Sequence, residues 1–283
     1  MTAGVTERVG GLWDSYVTEV RQGADADAAA YRHGKDPRSL ATRVAWVLSV
    51  SAVALVLIQL GKNGAKPGWL VSAIDAAGAD GIAADVEDAL LRSDNQRFNQ
   101  LLMWAVVQVS GYIVLPVIFV KVVLGERLRD YGVRLPALGG AGIYALAFVA
   151  FAPIVILASF TQPFQDRYPF YSLLPGESIW PYLAAWWLLY AAQFAALEWF
   201  FRGFMIHALK PVLGYLAVPL MVVPYFMIHL QKPALEAAGA IVAGMALGTL
   251  VLKTRTIWWG AALHVAVAMT MDIAALFQKD LIG

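Results

Sequence analysis

The sequence predicts an all-α, polytopic membrane protein built as a bundle of helices. Hydrophobic residues make up 60% of the 283 positions and charged residues only 14%, whereas soluble domains carry roughly 45–50% and about 25%. The apolar excess is concentrated in stretches of roughly 20 residues, the length that crosses a bilayer as a helix. Since lipid offers no partner to an unpaired backbone amide, each stretch is expected to be helical.

About seven such segments follow one another along the chain. They are expected at residues 43–60, 101–124, 139–160, 179–208, 212–230, 234–252 and 256–277. The first begins after Arg43, and the second contains Gly111 and Pro116, which favour a kink. The third ends near Pro163.

The later segments carry more specific signals. The fourth holds an aromatic cluster of the kind found at membrane interfaces: Trp180, Tyr182, Trp186 and Trp187. Pro219 and Pro224 predict that the fifth is broken and need not cross fully. The sixth places Ala240, Gly244 and Gly248 on one face, where small side chains allow a neighbouring helix to approach. The seventh begins near Thr256.

Three consecutive regions are predicted. Residues 1–42 form a polar arm, with a helix expected around Leu12–Val20. Residues 43–178 form an N-terminal transmembrane region that includes a long extramembrane loop, 61–100, and residues 179–283 form a C-terminal core. The acidic residues of the loop do not follow a calcium-binding pattern and are interpreted as a solvated helical cap: Asp75, Asp80, Asp85, Glu87, Asp88 and Asp94.

Charge distribution predicts an orientation. Six of the 21 Lys and Arg residues lie in 1–43, and Lys121, Arg127, Arg129, Arg134, Arg202, Lys210, Lys253 and Arg255 fall on the same side if the N-terminus is inside. The positive-inside tendency therefore places the N-terminus in the cytoplasm, and we expect an integral protein of a bacterial plasma membrane. Residues 1–42 lack the apolar run of a signal peptide, so the first segment is expected to be an uncleaved anchor.

Composition also limits the chemistry. A net charge of +1 gives no reason to expect a nucleic-acid partner, and the apolar segments make the lipid bilayer the expected partner. With no cysteine, the chain can form no disulfide, thiol nucleophile or thiolate metal site. No cofactor or metal is expected.

Ionisable residues inside apolar helices are costly and therefore mark candidate sites. Glu198 and Arg202 are four residues apart and can pair on one helix face, and the adjacent Gly203 would let another backbone approach. A structural ion pair between helices explains the same spacing. His229 ends the proline-broken segment, and Glu236 follows it in the first turn of the next helix, where it complements the helix dipole or faces a common cavity with His229.

His264 lies roughly 12 Å along the last helix, well inside the membrane. Asp272 is eight residues further and points about 80° away around the helix. Together, one Glu and two His on separate helices supply what water activation needs. The Glu accepts a proton, one His holds the water, and the other His stabilises an oxyanion.

At these residues the chain resembles the CPBP family of glutamate-dependent intramembrane proteases, which includes the CAAX prenyl endopeptidases and bacteriocin-processing proteins. The family pattern is Glu-Glu-x-x-x-Arg, then Phe-x-x-x-His, then His-x-x-x-Asn or Asp. Glu198, Arg202, His229 and His264 match it in order, with Tyr225 in place of Phe, over about residues 179–277. The resemblance implies an intramembrane endopeptidase that acts on a membrane-associated peptide or protein and needs no metal.

Two positions depart from that pattern. Leu197 stands where the family has its first Glu, and Ala268 stands where it has Asn or Asp. Either Glu198 or Glu236 then serves as the base, with Arg202 and Asp272 in support, or the chain is a silent relative that binds a protein or lipid. A zinc site made of His229, His264 and a Glu, and a transporter with broken helices, are the remaining alternatives.

Overall fold

The computed structural model is all-helical. It describes residues 10–11, 13–64, 67–171 and 180–281, and these ranges contain no β-strand. The helices are α1 (Glu19–Arg32), α2 (Pro37–Gly64), α3 (Pro67–Ala76), α4 (Asp80–Glu87), α5 (Gln96–Ile118), α6 (Ala141–Ala158), α7 (Tyr182–Glu198), α8 (His207–Leu213), α9 (Ala217–Met227), α10 (Ala234–Thr254) and α11 (Trp258–Gln278). The predicted all-α membrane bundle is therefore confirmed.

Six stretches of the described chain are long and apolar enough to cross a membrane, rather than about seven. They are Pro37–Gly61, Gln96–Val123, Leu138–Ala158, Tyr182–Met227, Ala234–Thr254 and Trp258–Gln278. The count differs because the fourth and fifth predicted segments form one helical run of 46 residues. That run turns at Gly214, whose φ of 62° and ψ of −138° suit only glycine. The 11 residues of α9 rise about 16 Å, too short to cross alone.

The chain divides into two compact units, each assembled from three separated stretches. The first contains Met1–Ser51, Pro116–Tyr144 and Glu198–Ala261. The second contains Ala52–Leu115, Ala145–Leu197 and Ala262–Gly283. The three consecutive regions expected from the sequence stay a prediction.

In the first unit, the N-terminal arm packs on the turn at Gly214. Val20, Ala24 and Ala28 recur every four residues on α1 and are buried. Asp25 accepts a hydrogen bond from the backbone N–H of Tyr215 at 2.8 Å. The arm helix expected around Leu12–Val20 is present from a π turn at Asp14–Thr18 onward, and Leu12 lies outside the described residues.

Close packing between α9 and α10 depends on glycine. A Cβ atom on Gly244 would lie 3.0 Å from Cγ2 of Val222, and one on Gly248 would lie 2.8 Å from Cγ1 of Val218. The predicted small-residue face on the sixth segment is therefore confirmed as a helix contact.

An ionic cluster joins α2 to the loop after α5. The Arg43 guanidinium donates two hydrogen bonds to the Glu126 carboxylate, at 2.6 and 3.0 Å, and a third to the carbonyl of Ala208 at 2.9 Å. The Tyr131 hydroxyl also donates to Glu126. Burial opposes ionisation of Glu126, but the hydrogen bonds from Arg43 and Tyr131 outweigh it and lower the pKa of the carboxyl. Burial, and then the bond to Glu126, raise the pKa of Tyr131.

The second unit has an aromatic core. Its buried residues are Tyr171, Leu183, Trp186, Tyr190, Ala268 and Leu276. Gly111 allows α5 to approach α2, because a Cβ there would lie 2.3 Å from Cγ1 of Ile58. The predicted cap over 61–100 is helical in its described part, and Asp75, Asp80 and Asp85 are exposed. Residues 65 and 66 of that loop lie outside the described residues.

Candidate active site

Glu198 and Arg202 form a buried ion pair in the first unit. Glu198 is the last residue of α7, and Arg202 lies one turn later in a π-helix, Trp199–Ile206. Nη1 of Arg202 is 3.0 Å from Oε1 of Glu198, and the two side chains are 0% and 1% exposed. The predicted contact across one helix face is present.

The second oxygen of Glu198 faces the start of α11. A Cβ atom on Gly260 would lie 2.6 Å from Oε2 of Glu198, so glycine is what leaves room for the carboxylate. Tyr144, buried on α6, interacts electrostatically with both Glu198 and Arg202, and its hydroxyl lies 3.3 Å from the hydroxyl of Thr254. Neither Gly260 nor Tyr144 was anticipated from the sequence, because each lies far from Glu198 along the chain.

Arg202 also contacts an aromatic ring. Its guanidinium carbon lies 4.0 Å from the centroid of the buried Tyr225 ring, a cation–π contact. Nε, Nη1 and Nη2 of Arg202 are all buried. The guanidinium is held by the charge of the Glu198 carboxylate and by the ring face of Tyr225.

His229 lies one helical turn after Tyr225 in the chain. The two rings are 4.7 Å apart, and Nδ1 of His229 lies 2.8 Å from the carbonyl oxygen of Tyr225. A carbonyl can only accept, so Nδ1 carries the proton and donates it. In the neutral ring, Nε2 is then the acceptor nitrogen, which is the form that can orient a water molecule. Tyr225 thus connects Arg202 to His229.

Glu236 is less deeply placed. It lies in the first turn of α10, accepts a hydrogen bond from the Lys232 ammonium and is 22% exposed. Tyr225 interacts electrostatically with Arg202, Glu198 and Glu236, in decreasing order. The structure thus brings Glu198, Arg202, His229 and Glu236 around Tyr225, within one unit.

Two further residues support the π-helix. Nδ1 of His207 lies 2.9 Å from the carbonyl of Arg202 and 3.1 Å from that of Gly203. Because carbonyl groups only accept, Nδ1 donates to these carbonyl groups of the π-helix. A Cβ atom on Gly203 would lie 2.9 Å from the carbonyl oxygen of Tyr131. The expected approach of another backbone at Gly203 is confirmed, whereas His207 was not anticipated.

His264 and Asp272 belong to the second unit. The half-buried His264 ring stacks on Phe194, with centroids 5.3 Å apart and planes 13° apart. Asp272 is fully buried and accepts hydrogen bonds from the Phe170 N–H at 3.3 Å and from Nε1 of Trp187 at 3.2 Å. Asp272 thereby ties α11 to α7 and to the segment that precedes it.

The two positions that depart from the family pattern are apolar and buried. Leu197 is 5% exposed and Ala268 is 4% exposed, and Ala268 packs within the aromatic core of the second unit. Neither position supplies a polar group. Among the described residues, no group of three His, Cys, Asp or Glu side chains is placed to hold a metal ion.

Comparison with known proteins supports the resemblance. Residues 179–270 match the family model described as type II CAAX prenyl endopeptidase, Rce1-like. The match begins just before α7 and ends within α11, so it contains Glu198, Arg202, His229, Glu236 and His264. Comparison with curated proteins and with solved structures gives no match. The CPBP-type resemblance is confirmed over these residues.

Proposed function

We propose that this protein is an intramembrane endopeptidase that hydrolyses a membrane-associated peptide with water activated by Glu198. In this reaction the Glu198 carboxylate accepts a proton from water, and the resulting hydroxide attacks the scissile carbonyl carbon. The proton then passes to the leaving amine as the carbon–nitrogen bond breaks. Arg202 holds Glu198 in position from one side, and Gly260 leaves space on the other.

The single observation that carries the proposal is the buried pair of Glu198 and Arg202 within the segment that matches the endopeptidase family. Burying two charges costs several kcal/mol per ion, by order of magnitude, and well-packed apolar residues often serve stability as well or better. A buried pair in this segment is therefore more consistent with chemistry than with packing alone.

His229 is proposed to position the attacking water. Its tautomer, set by the Tyr225 carbonyl, presents Nε2 as an acceptor for a water proton. The oxyanion role of His264 and the supporting role of Asp272, which the family pattern and the sequence predict, stay predictions, because both residues belong to the second unit.

Glu236 is the competing candidate for the base. Its side chain is more accessible to water than that of Glu198. However, Glu236 pairs with Lys232 and lies in the first turn of a helix, so stabilisation of the helix dipole is enough to explain its presence. We therefore assign the base to Glu198 and treat Glu236 as the position that the experiment must separate from it.

A second function is favoured by Leu197 and Ala268. Because both residues are apolar and buried, the polar residues that the family places there have no substitute at those two positions. A catalytically silent protein that binds a membrane protein or lipid is consistent with this observation.

Cleavage assays separate these functions. Wild type, Glu198→Gln, Glu236→Gln and His229→Ala are reconstituted in liposomes with a panel of membrane-anchored peptides, with and without a chelator. We expect cleavage by wild type and Glu236→Gln, loss of at least a hundredfold in Glu198→Gln and His229→Ala by the usual size of acid–base effects, and no effect of the chelator.

Each other outcome has a defined meaning. Loss in Glu236→Gln with retention in Glu198→Gln would move the base to Glu236. Loss on addition of chelator would indicate a metal enzyme. A folded wild type that cleaves no peptide of the panel would favour the silent binding protein.

A further inference from the structure

A charged cavity lies in the first unit, beside the N-terminal arm. Its volume is about 520 Å³, and it is lined by α1, by the loop between α5 and α6, by α8 and by the end of α10. Glu198 and His229 do not line it, so it is separate from the proposed active site. Nothing in the proposed peptidase chemistry uses it.

Cationic side chains predominate in this cavity. Five line it: Arg129, Arg134, Lys210, Lys253 and Arg255. Three carboxylates line it as well: Glu19, Asp27 and Asp130. The formal charge of the lining is therefore +2, with His207 taken as neutral.

The carboxylates are already used in ion pairs. Asp27 lies 2.7 Å from the Lys210 ammonium, and Glu19 lies 3.3 Å from that of Lys253. The third, Asp130, is 2.7 Å from an Arg134 nitrogen. Three carboxylates thus neutralise three of the five cations.

Two arginines remain in excess. Arg129 reaches the already paired Asp130 only at 3.9 Å. Arg255 has no ion pair within the part of the chain that the structure describes, and its side chain is exposed to the cavity. Guanidinium groups bind phosphate oxygens through two parallel N–H donors, so two surplus arginines define a phosphate-type anion site.

The backbone conformation of Arg255 also supports a role for its side chain. Arg255 ends α10 in the left-handed region, at φ 54° and ψ 27°. Glycine is the residue with the lowest conformational cost at such a helix end. An arginine in this conformation is strained, and a favourable interaction between its side chain and a bound anion would offset the strain.

The arginines of the cavity lie next to the ends of candidate membrane spans in the chain. The membrane-spanning stretches Gln96–Val123 and Leu138–Ala158 flank Arg129 and Arg134 in the chain, and the stretch Ala234–Thr254 ends beside Arg255. Residues at the ends of spans lie near the lipid headgroups, where anionic phospholipids attract basic residues.

We infer that this cavity binds the phosphate group of an anionic phospholipid headgroup or of a soluble phosphate, with Arg129 and Arg255 as its principal contacts. The arm helix α1 forms one wall, held by the pairs of Asp27 and Glu19 with Lys210 and Lys253. Occupation of the cavity would therefore also stabilise the docked arm.

The test measures ligand binding. Purified protein in neutral detergent with phosphatidylcholine receives phosphatidylglycerol or inorganic phosphate, and the bound phosphatidylglycerol or phosphate is counted by native mass spectrometry. Each cation near a membrane surface adds about fivefold to binding, so Arg129→Gln/Arg255→Gln should bind about 30-fold more weakly. The matched control, Arg92→Gln/Arg167→Gln, removes two cations of the second unit and should bind as wild type does.

The two ligands distinguish the sources. Binding of phosphatidylglycerol without binding of inorganic phosphate identifies a lipid site, and binding of both identifies a site for soluble phosphate. Equal binding by wild type and by both double variants would overturn the inference. If the cavity double variant does not fold, Arg129→Gln alone, a change on an exposed side chain, should still weaken binding about fivefold.

Discussion

At the scale of single residues, the Glu198–Arg202 pair determines how the site responds to substitution. Removing one member leaves the other as an uncompensated buried charge, which costs about 3 kcal/mol or more. We expect Glu198→Gln to lower the free energy of unfolding by about that amount. Glu198→Leu/Arg202→Met, which removes both charges, should be within about 1 kcal/mol of wild type. Chemical denaturation of all three proteins checks this, and a double variant no more stable than Glu198→Gln would contradict it.

Gly260 is the residue that allows Glu198 its position. A methyl group there would lie 2.6 Å from Oε2, so Gly260→Ala should displace the carboxylate and reduce peptide cleavage at least tenfold. Gly239→Ala is the matched control, because a Cβ at Gly239 on α10 meets no atom within 4 Å. The control should retain wild-type cleavage. Equal rates in both variants would show that the position of Glu198 is not important.

At the scale of elements, the contact between α9 and α10 depends on Gly248. A Cβ there would lie 2.8 Å from the Val218 side chain, so Gly248→Val overfills the interface. We expect a loss of about 2 kcal/mol in the free energy of unfolding. Gly239→Val, on the same helix but in open space, should not lower the free energy of unfolding, because valine has a slightly higher helix propensity than glycine. Thermal or denaturant unfolding provides the measurement.

The cluster of Arg43, Glu126 and Tyr131 predicts a pH dependence. The pKa of Glu126 is lower in the folded protein than in the unfolded chain. Its contribution to stability is therefore complete above the unfolded pKa, near 4.5, and disappears as the pH falls through the folded value. Melting temperatures between about pH 6 and 3 should fall less steeply for Glu126→Gln than for wild type. Parallel curves would exclude this role for Glu126.

At the scale of the whole molecule, some features follow from sequence and others do not. Helical class, the small-residue face of α10 and the Glu198–Arg202 contact were predictable, because hydrophobicity and the spacing of residues on one helix determine them. About seven segments were expected and six stretches are found, because the fourth and fifth expected segments form one run that turns at Gly214, a glycine whose conformation the sequence does not reveal. Tyr144 and Gly260 could not be predicted, since tertiary packing alone brings them to Glu198.

The surroundings of Glu236, His264 and Asp272 were also predictable only where they depend on local spacing. Local spacing predicted a first-turn position for Glu236, but its pairing with Lys232 was not anticipated. The stacking of His264 on Phe194 and the bonds of Asp272 to Phe170 and Trp187 depend on which helices are adjacent. A single sequence does not specify that adjacency.

The most direct test of the central claim is the rate of peptide cleavage by Glu198→Leu/Arg202→Met beside wild type, in the same liposomes. This double variant is expected to be as stable as wild type, so a change in rate reports chemistry rather than unfolding. If Glu198 is the base, the wild type cleaves a membrane-anchored peptide and the double variant loses at least a hundredfold in rate. Cleavage by the folded double variant at the wild-type rate would contradict the assignment of Glu198.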